Sequence, residues 1–287
     1  MTVSVVIAYY RGLPGLAVQL DALARQDYEG SFEVIVSDNE GSTDLQRYLD
    51  RYPERERLRV RRVDSSDVAG TSHARNVGTR AAEYDFIAYC DQDDAVYPGW
   101  LRAMASAGRD HDLVGGPLER DSLNDPVVAS WRALPDPDEP FVMGRFLPIT
   151  FGCNLGIRRT VFDAVGGWDE SYPTAASDVE LCWRVQTAGY RFGYARDAMV
   201  AYRFRTGLRE TWPQAVEYGR EEARVAKQYG APGRRWWWFP IHAAVVAGTA
   251  PVWPWAWSRR RLGQWTWVTG NLAGRIRGSI RYRTLYW

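Results

Sequence analysis

Residues 72–94 read SHARNVGTRAAEYDFIAYCDQDD, and the order of events in this stretch decides the fold. Thr71 to Ala82 is predicted to be a helix, and Asp85 to Cys90 an apolar strand. Asp91-Gln92-Asp93-Asp94 then packs three carboxylates into four positions. A strand interior does not hold that much charge, so the strand ends here with the carboxylates at its carboxyl edge. Taken alone, the run has two readings. It is a solvated turn, which Asp favours, or a set of hard oxygen ligands for a divalent cation that bridges phosphates.

Outward from this stretch the same rhythm recurs. Val3 to Tyr9 is a β-branched run, followed by a helix opened by Pro14 with Leu16, Leu20 and Leu23 on one face. Phe32 to Val36 is a second strand ending at Ser37-Asp38, and a helix is expected near Ser42-Thr43-Asp44 with Ser42 or Thr43 as N-cap. Leu58 to Val63 is a third strand. Alternating strands and helices predict an α/β fold, Rossmann-like, with a mostly parallel central sheet and helices on both faces. Ligands of such sheets bind beyond the carboxyl ends of the strands, and here those ends carry Tyr9-Tyr10-Arg11, Asp38 and Asp91. The stretch LPDPDEP, residues 134–140, reads as a loop or a junction. From about Arg145 come FGCNLGIRRTVF (151–162), GGWDE (166–170) and ASDVELCWRVQTAGY (176–190). The last is predicted to be a helix with Asp178 and Glu180 in its first turn, where the helix dipole favours negative charge.

Composition narrows the class. With 287 residues, 46% hydrophobic and 25% charged, the chain buries a sizeable core and is not a disordered chain. Its net charge of +1 hides an asymmetry: residues 231–287 hold nine Arg and no Asp, Glu or Lys, against 27 basic and 35 acidic residues in the remainder. No nucleic-acid-binding motif accompanies these arginines, so nucleic acid is not an expected partner. Cys90, Cys153 and Cys182 show no paired spacing and read as buried thiols of a reducing compartment. The N-terminus enters a strand pattern directly, with no secretory layout, and a cytoplasmic protein is expected. Residues 236–257, WWWFPIHAAVVAGTAPVWPWAW, carry no charge and are flanked by Arg. Three prolines and dense Trp disfavour a spanning helix. Docking at a membrane interface, packing on the body of the chain or a partner, and a span all remain open. The first would make the protein peripheral on the inner face of the plasma membrane.

Taken whole, residues 72–94 resemble the nucleotide-sugar-binding half of the inverting family 2 glycosyltransferases of the GT-A fold. In that family an Ala-Arg-Asn-x-Gly helix start precedes a strand ending in Asp-x-Asp-Asp. SVVIAYYRG (4–12) is similar to the family's first strand and VIVSDNEGSTD (34–44) to its second, while GGWDESYPTAASDVELCWRVQTAGYRF (166–192) resembles its acceptor-side motif. The resemblance covers about residues 1–230, so it implies a catalytic domain there, with a nucleotide-sugar-binding half at 1–115 and an acceptor half at 145–230. Residues 231–287 then form a helical Trp/Arg-rich extension, open to membrane contact or self-association.

The resemblance also implies roles. Asp38 would accept from the N3–H of a uracil-like base, Tyr9 and Tyr10 would lie along the base and ribose, and Arg75 would face the nucleotide or its diphosphate. Asp91 would sit near ribose and diphosphate, Asp93, ahead of Asp94, would ligate Mg2+ or Mn2+, and Asp178 would be the general base. Trp168 would offer a face to an acceptor or donor sugar, or else pack in the core, with Asp169 as a polar contact beside it. The implied activity is inverting sugar transfer from a nucleoside-diphosphate sugar, UDP-linked, to a hydroxyl of a glycan, lipid-linked or small-molecule acceptor. Two features depart from the family pattern. The usual Glu-Asp pair is Ser177-Asp178, and Tyr202-Arg203 stands where many members carry a metal-ligating His. Either the metal has fewer protein ligands or Arg203 supplies charge to the phosphates. A binding protein without catalysis and a sugar nucleotidyltransferase are the rival readings. His73 is expected on a helix surface, and Cys90 and Cys153 in the core.

Overall fold

The structure, a computed structural model, describes residues 1–232, 238–248 and 258–286. The chain runs β1 (Val3–Tyr9), α1 (Leu13–Ala24), β2 (Phe32–Asp38), α2 (Thr43–Asp50), α3 (Arg55–Leu58), β3 (Val60–Asp64), α4 (Thr71–Ala81) and β4 (Phe86–Asp91). It continues through β5 (Ala95–Val96), α5 (Trp100–Ala107), β6 (Leu113–Gly115), β7 (Leu118–Glu119), α6 (Pro126–Ala129), β8 (Phe141–Val142), β9 (Pro148–Ile149) and β10 (Leu155–Arg158). The remaining elements are α7 (Arg159–Val165), α8 (Ser177–Thr187), β11 (Phe192–Tyr194), β12 (Val200–Ala201), α9 (Leu208–Tyr229), α10 (Trp238–Gly248) and α11 (Arg259–Tyr282). Two compact units result. The first comprises residues 1–119, 135–141 and 148–202, and the second residues 120–134, 142–147 and 203–287. In this division α9 falls in the same unit as the C-terminal helices.

In the first unit, seven strands form one sheet in the order β11-β6-β10-β4-β1-β2-β3. Only β10 runs antiparallel to its neighbours. Val3, Val5, Val6 and Ile7 of β1, an interior strand, are all fully buried, as expected of a strand covered on both sides. Alternation along β4 shows the two covers. The Tyr89 hydroxyl bonds Thr79 of α4 at 2.6 Å, whereas Phe86 points the other way, against Gly108 at the end of α5. The register pairs Tyr9 with Asp38 and Ala8 with Asp91, so the strand ends that carry polar groups lie side by side. Ser42 caps α2 by accepting from the Leu45 amide at 3.3 Å. The third strand starts two residues later than expected, because Arg55–Leu58 winds into a short helix closed by Arg59 in the left-handed region (φ 48°).

The second unit centres on α9 and α11. Gly270, Gly274 and Gly278 recur every four residues and so line one side of α11. A Cβ on Gly274 would stand 2.1 Å from the Val216 carbonyl oxygen, and one on Gly219 of α9 2.2 Å from that of Asn271. Backbone meets backbone along this seam, which only glycine permits. Arg132 lies over the rings of Phe204 (4.2 Å) and Trp267 (4.7 Å). Of the uncharged stretch 236–257, α10 is described and the rest lies outside the described residues. No helix among the described residues is long and apolar enough to cross a membrane.

Candidate active site

The site gathers at the carboxyl ends of β1 and β4 in the first unit. Beyond Tyr9 the chain turns sharply, with Arg11 at φ 48° and Gly12 at φ 129°, a conformation that favours glycine at the second position. Gln92 holds this turn. Its Oε1 accepts from the Tyr10 amide at 2.8 Å, and its Nε2 donates to the carbonyls of Tyr10 (3.0 Å) and Arg11 (2.8 Å). Three bonds from one side chain fix the β1–α1 turn to the Asp91–Asp94 run. The start of α1 is equally close, since a Cβ on Gly15 would lie 3.0 Å from the Asp93 Cα. The sequence signal for Gln92 is a long amide between carboxylates at a strand end, and its role emerges only with the turn it binds.

Arg75 is the hub. Its guanidinium pairs with Asp91 at 2.8 Å and stacks 4.6 Å from the Trp168 ring centroid. A Cβ on Gly152 would fall 2.5 Å from the guanidinium, so the 151–154 loop closes over it because residue 152 has no side chain. Arg75 is 5% exposed. It therefore orders Asp91 from within instead of facing a nucleotide as expected. Trp168, 1% exposed, offers no open face to a sugar; its ring supports Arg75 and meets Tyr89 edge-on at 5.2 Å. The Trp168 turn is in turn held by Asn76. The Asn76 side chain accepts from the Trp168 amide (2.9 Å) and donates to the Trp168 carbonyl (2.9 Å) and to Glu170 (2.7 Å). The Arg and Asn of the ARN motif thus serve opposite ends of one support.

Asp178 reaches the same cluster from α8. It is the second residue of α8, and its Oδ2 accepts from the Gly152 amide at 3.0 Å while Oδ1 accepts from Val179 at 2.9 Å. Burial raises its pKa above the ordinary 3.8, while the Gly152 amide and the charge of Arg75 pull it partly back. The half-buried carboxylate is thus a stronger base than a solvated one. Glu180, two residues on, is consumed by a two-bond pair with Arg184 at 2.8–2.9 Å.

Other expected contacts are not available. The two Asp38 oxygens accept from the amides of Glu40 (3.0 Å), Gly41 (3.1 Å) and Ser42 (2.7 Å) and from Arg62 (2.7 Å). Fully buried, with its four acceptor positions taken, Asp38 shapes the turn after β2 and has none left for a base N–H. Tyr9 is buried, and burial raises its pKa. Tyr10, 54% exposed, keeps an open ring, with the Arg11 guanidinium 5.2 Å from its centroid. Asp169 caps its own turn by accepting from the Ser171 amide at 2.8 Å. His73 is not on the surface: it is buried between Asp67 (2.9 Å) and Glu170 (3.0 Å). In the second unit, an Arg203 guanidinium nitrogen lies 3.4 Å from the Leu123 carbonyl oxygen.

Donor chemistry for a cation is present. Asp91, Asp94 and Cys153 each offer a ligand atom, and these lie within 4.8 Å of one another. Two carboxylates suit a hard cation, and the thiol is a softer third ligand. Asp93, the expected ligand, is exposed at the turn outside this group. All three cysteines are free and buried, as expected.

A mostly parallel sheet with carboxylates at its edge and a further carboxylate at the start of α8 matches the GT-A fold, and comparison with solved structures agrees. The mannosyltransferase PcManGT of Pyrobaculum calidifontis, in complex with GDP-Man and Mn2+, matches with a TM-score of 0.64 and 18% identity over 96% of this chain and 86% of that one. S. aureus TarS in complex with UDP-GlcNAc matches with a TM-score of 0.59 and 16% identity over 100% of this chain and 93% of that one. The profile described as "Glycosyl transferase family 2" matches residues 4–166, and that of "Glycosyl transferase family group 2" residues 86–273. The chain belongs to glycosyl transferase family 2. A pre-mycofactocin glycosyltransferase of Mycobacterium tuberculosis is 31% identical over 173 residues, 56% of this chain and 36% of that protein. Glycosyltransferase AglE of Haloferax volcanii is 28% identical over 203 residues, 69% of this chain and 65% of that protein. The chain thus spans about a third of the length of the first relative and about two thirds of the second.

Proposed function

We propose that this protein transfers a sugar from a nucleoside-diphosphate sugar, UDP-linked, to an acceptor hydroxyl with inversion at the anomeric carbon. One observation carries the reading. Asp91 pairs with the buried Arg75 guanidinium, and Asp178 is fixed by the amide of Gly152, the residue that closes over that same guanidinium. A base and a donor-side carboxylate are thereby held in fixed relation, as a displacement from the face opposite the leaving group requires. The acceptor oxygen attacks the anomeric carbon while Asp178 takes its proton, and the bond from that carbon to the diphosphate oxygen breaks with its electron pair on the diphosphate. Tyr10 is the open ring against which a base can stack, and the UDP assignment is supported by the UDP-GlcNAc bound to TarS.

Asp91 and Asp94 would hold Mg2+ or Mn2+ from the buried side, with Asp93 on the exposed side toward the donor phosphates. When bound, the cation offsets the charge of the departing diphosphate. We place the reaction in the cytoplasm, on the support of three free buried thiols, with a glycan, lipid-linked or small-molecule acceptor. Calorimetric titration of UDP with and without Mn2+, followed by a donor panel read by nucleotide release, tests the reading. Mn2+-dependent binding and turnover of one donor are expected, and both Asp93→Asn and Asp94→Asn should weaken Mn2+ binding. Donor binding without turnover would favour a binding-only protein, and no nucleotide binding at all would sink the proposal.

A further inference from the structure

Charge is divided sharply between the two units. The first holds 18 basic and 29 acidic residues, and the second holds 18 basic and 6 acidic, a formal net charge of +12. Three of the four acids of α9 are spent locally. Glu217 and Glu221 pair with Arg220, Glu221 also with Arg224, and Glu222 with Arg275. Farther along α11 and at its cap, Arg277, Arg281 and Arg283 are exposed and make no ion pair among the described residues.

The end of α11 is built rather than frayed. Arg283 reverses the chain at φ 50°, and the Thr284 amide bonds the Ser279 carbonyl at 3.0 Å. Tyr286 then folds back into a small core with Ala223 and Ala226. This cap leaves Ile280 and Leu285 standing out, 74% and 76% exposed, the most exposed large apolar side chains among the described residues. Beside them Arg224, Lys227, Gln228, Arg281, Tyr282 and Arg283 line an open groove of about 410 Å³. Lys227 bonds the Tyr282 carbonyl there, which leaves its charge uncancelled.

We propose that this tip seats the second unit on an anionic phospholipid surface, with the cationic groove taking headgroup phosphates and Ile280 and Leu285 entering the acyl boundary. Cations alone would suit any polyanion. Two protruding aliphatic side chains among them suit an interface that is anionic outside and apolar beneath. The anchor lies at the end of α11, apart from the uncharged stretch 236–257 that the sequence singled out. It stands independently of the transfer chemistry, because none of its residues belongs to the site in the first unit.

Cosedimentation of the full chain with phosphatidylcholine vesicles, with and without phosphatidylglycerol, tests it. Binding should require the anionic lipid and weaken with salt. Each basic residue at such a surface is worth roughly fivefold in affinity, so Arg281→Gln/Arg283→Gln should lose about 30-fold. Ile280→Ser/Leu285→Ser should also weaken binding to the same vesicles, with unchanged melting of both double variants as the fold control. Equal binding to both lipids, or unchanged binding by both double variants, would overturn the proposal. So would displacement by inorganic phosphate or by single-stranded nucleic acid with no dependence on Ile280 and Leu285, which would mark a soluble anion site. Donor turnover measured without vesicles judges the transfer reading separately.

Discussion

Replacing Asn76 by Ala removes the support of the Trp168 turn without touching a proposed reacting group. The Asn76 side chain satisfies both the amide and the carbonyl of Trp168, a residue 1% exposed. A buried backbone group left without a partner costs about 1–3 kcal/mol, so the two together cost about 2–6 kcal/mol. The third bond, to Glu170, adds little because that carboxylate is 40% exposed and water replaces the amide. Urea unfolding at constant m gives the loss, and hydrogen exchange of the peptide 166–173 locates it. Asn76→Asp keeps an acceptor for the Trp168 amide but loses both donations and faces Glu170 with a second carboxylate, so it should lose at least as much. The damage should travel, because Trp168 carries Arg75 and Arg75 carries Asp91, and donor affinity should fall with stability. A loss below about 0.5 kcal/mol, the level of an ordinary surface change, would refute the reasoning.

Burial alone would lower the His73 pKa, but the hydrogen bonds and charges of Asp67 and Glu170 outweigh it, and the value is raised above the ordinary 6.5. The stability this supplies is fully present below pH 6.5 and is lost as pH rises through the folded-state pKa; unfolding against pH should show it, and His73→Gln should flatten that slope. Gly219→Ala, whose Cβ would lie 2.2 Å from the Asn271 oxygen, should destabilise by about 1–3 kcal/mol, whereas Gly248→Ala, with nothing within 4 Å among the described residues, should not. Because burial raises the Asp178 pKa, ionising this group costs folded-state stability as pH rises above the ordinary 3.8, and Asp178→Asn should remove that contribution to unfolding against pH. The acid limb of the transfer rate should likewise lie above 3.8.

The sheet was legible because its cause is local. Val3 to Tyr9 and Asp85 to Cys90 are apolar runs that only a strand buried on both faces accommodates, and Pro14 and Ser42 mark helix starts by their own chemistry. The gathering of Arg75, Asp91 and Asp178 followed from the strand-end rule together with the resemblance. Which side chains face a ligand was not legible, because that depends on partners distant in sequence. Asp38 is filled by amides of its own turn and by Arg62, and Trp168 is covered by Arg75 from a helix 93 positions earlier. The Gln92 bonds and the closure of Gly152 over Arg75 are close approaches that no periodicity encodes. The seam of α9 and α11 had a visible sign in the glycines every four residues, and only the packing gave it meaning.

The most direct test of the central claim compares the parent with Asp178→Asn in two measurements on the same sample: donor affinity by calorimetry in Mn2+, and nucleotide release in a single turnover with acceptor present. Loss of the base should leave donor affinity within about threefold and slow transfer by roughly 10²–10⁴-fold, the span of general base catalysis. Transfer at the parental rate by Asp178→Asn, with donor binding intact, would contradict the account.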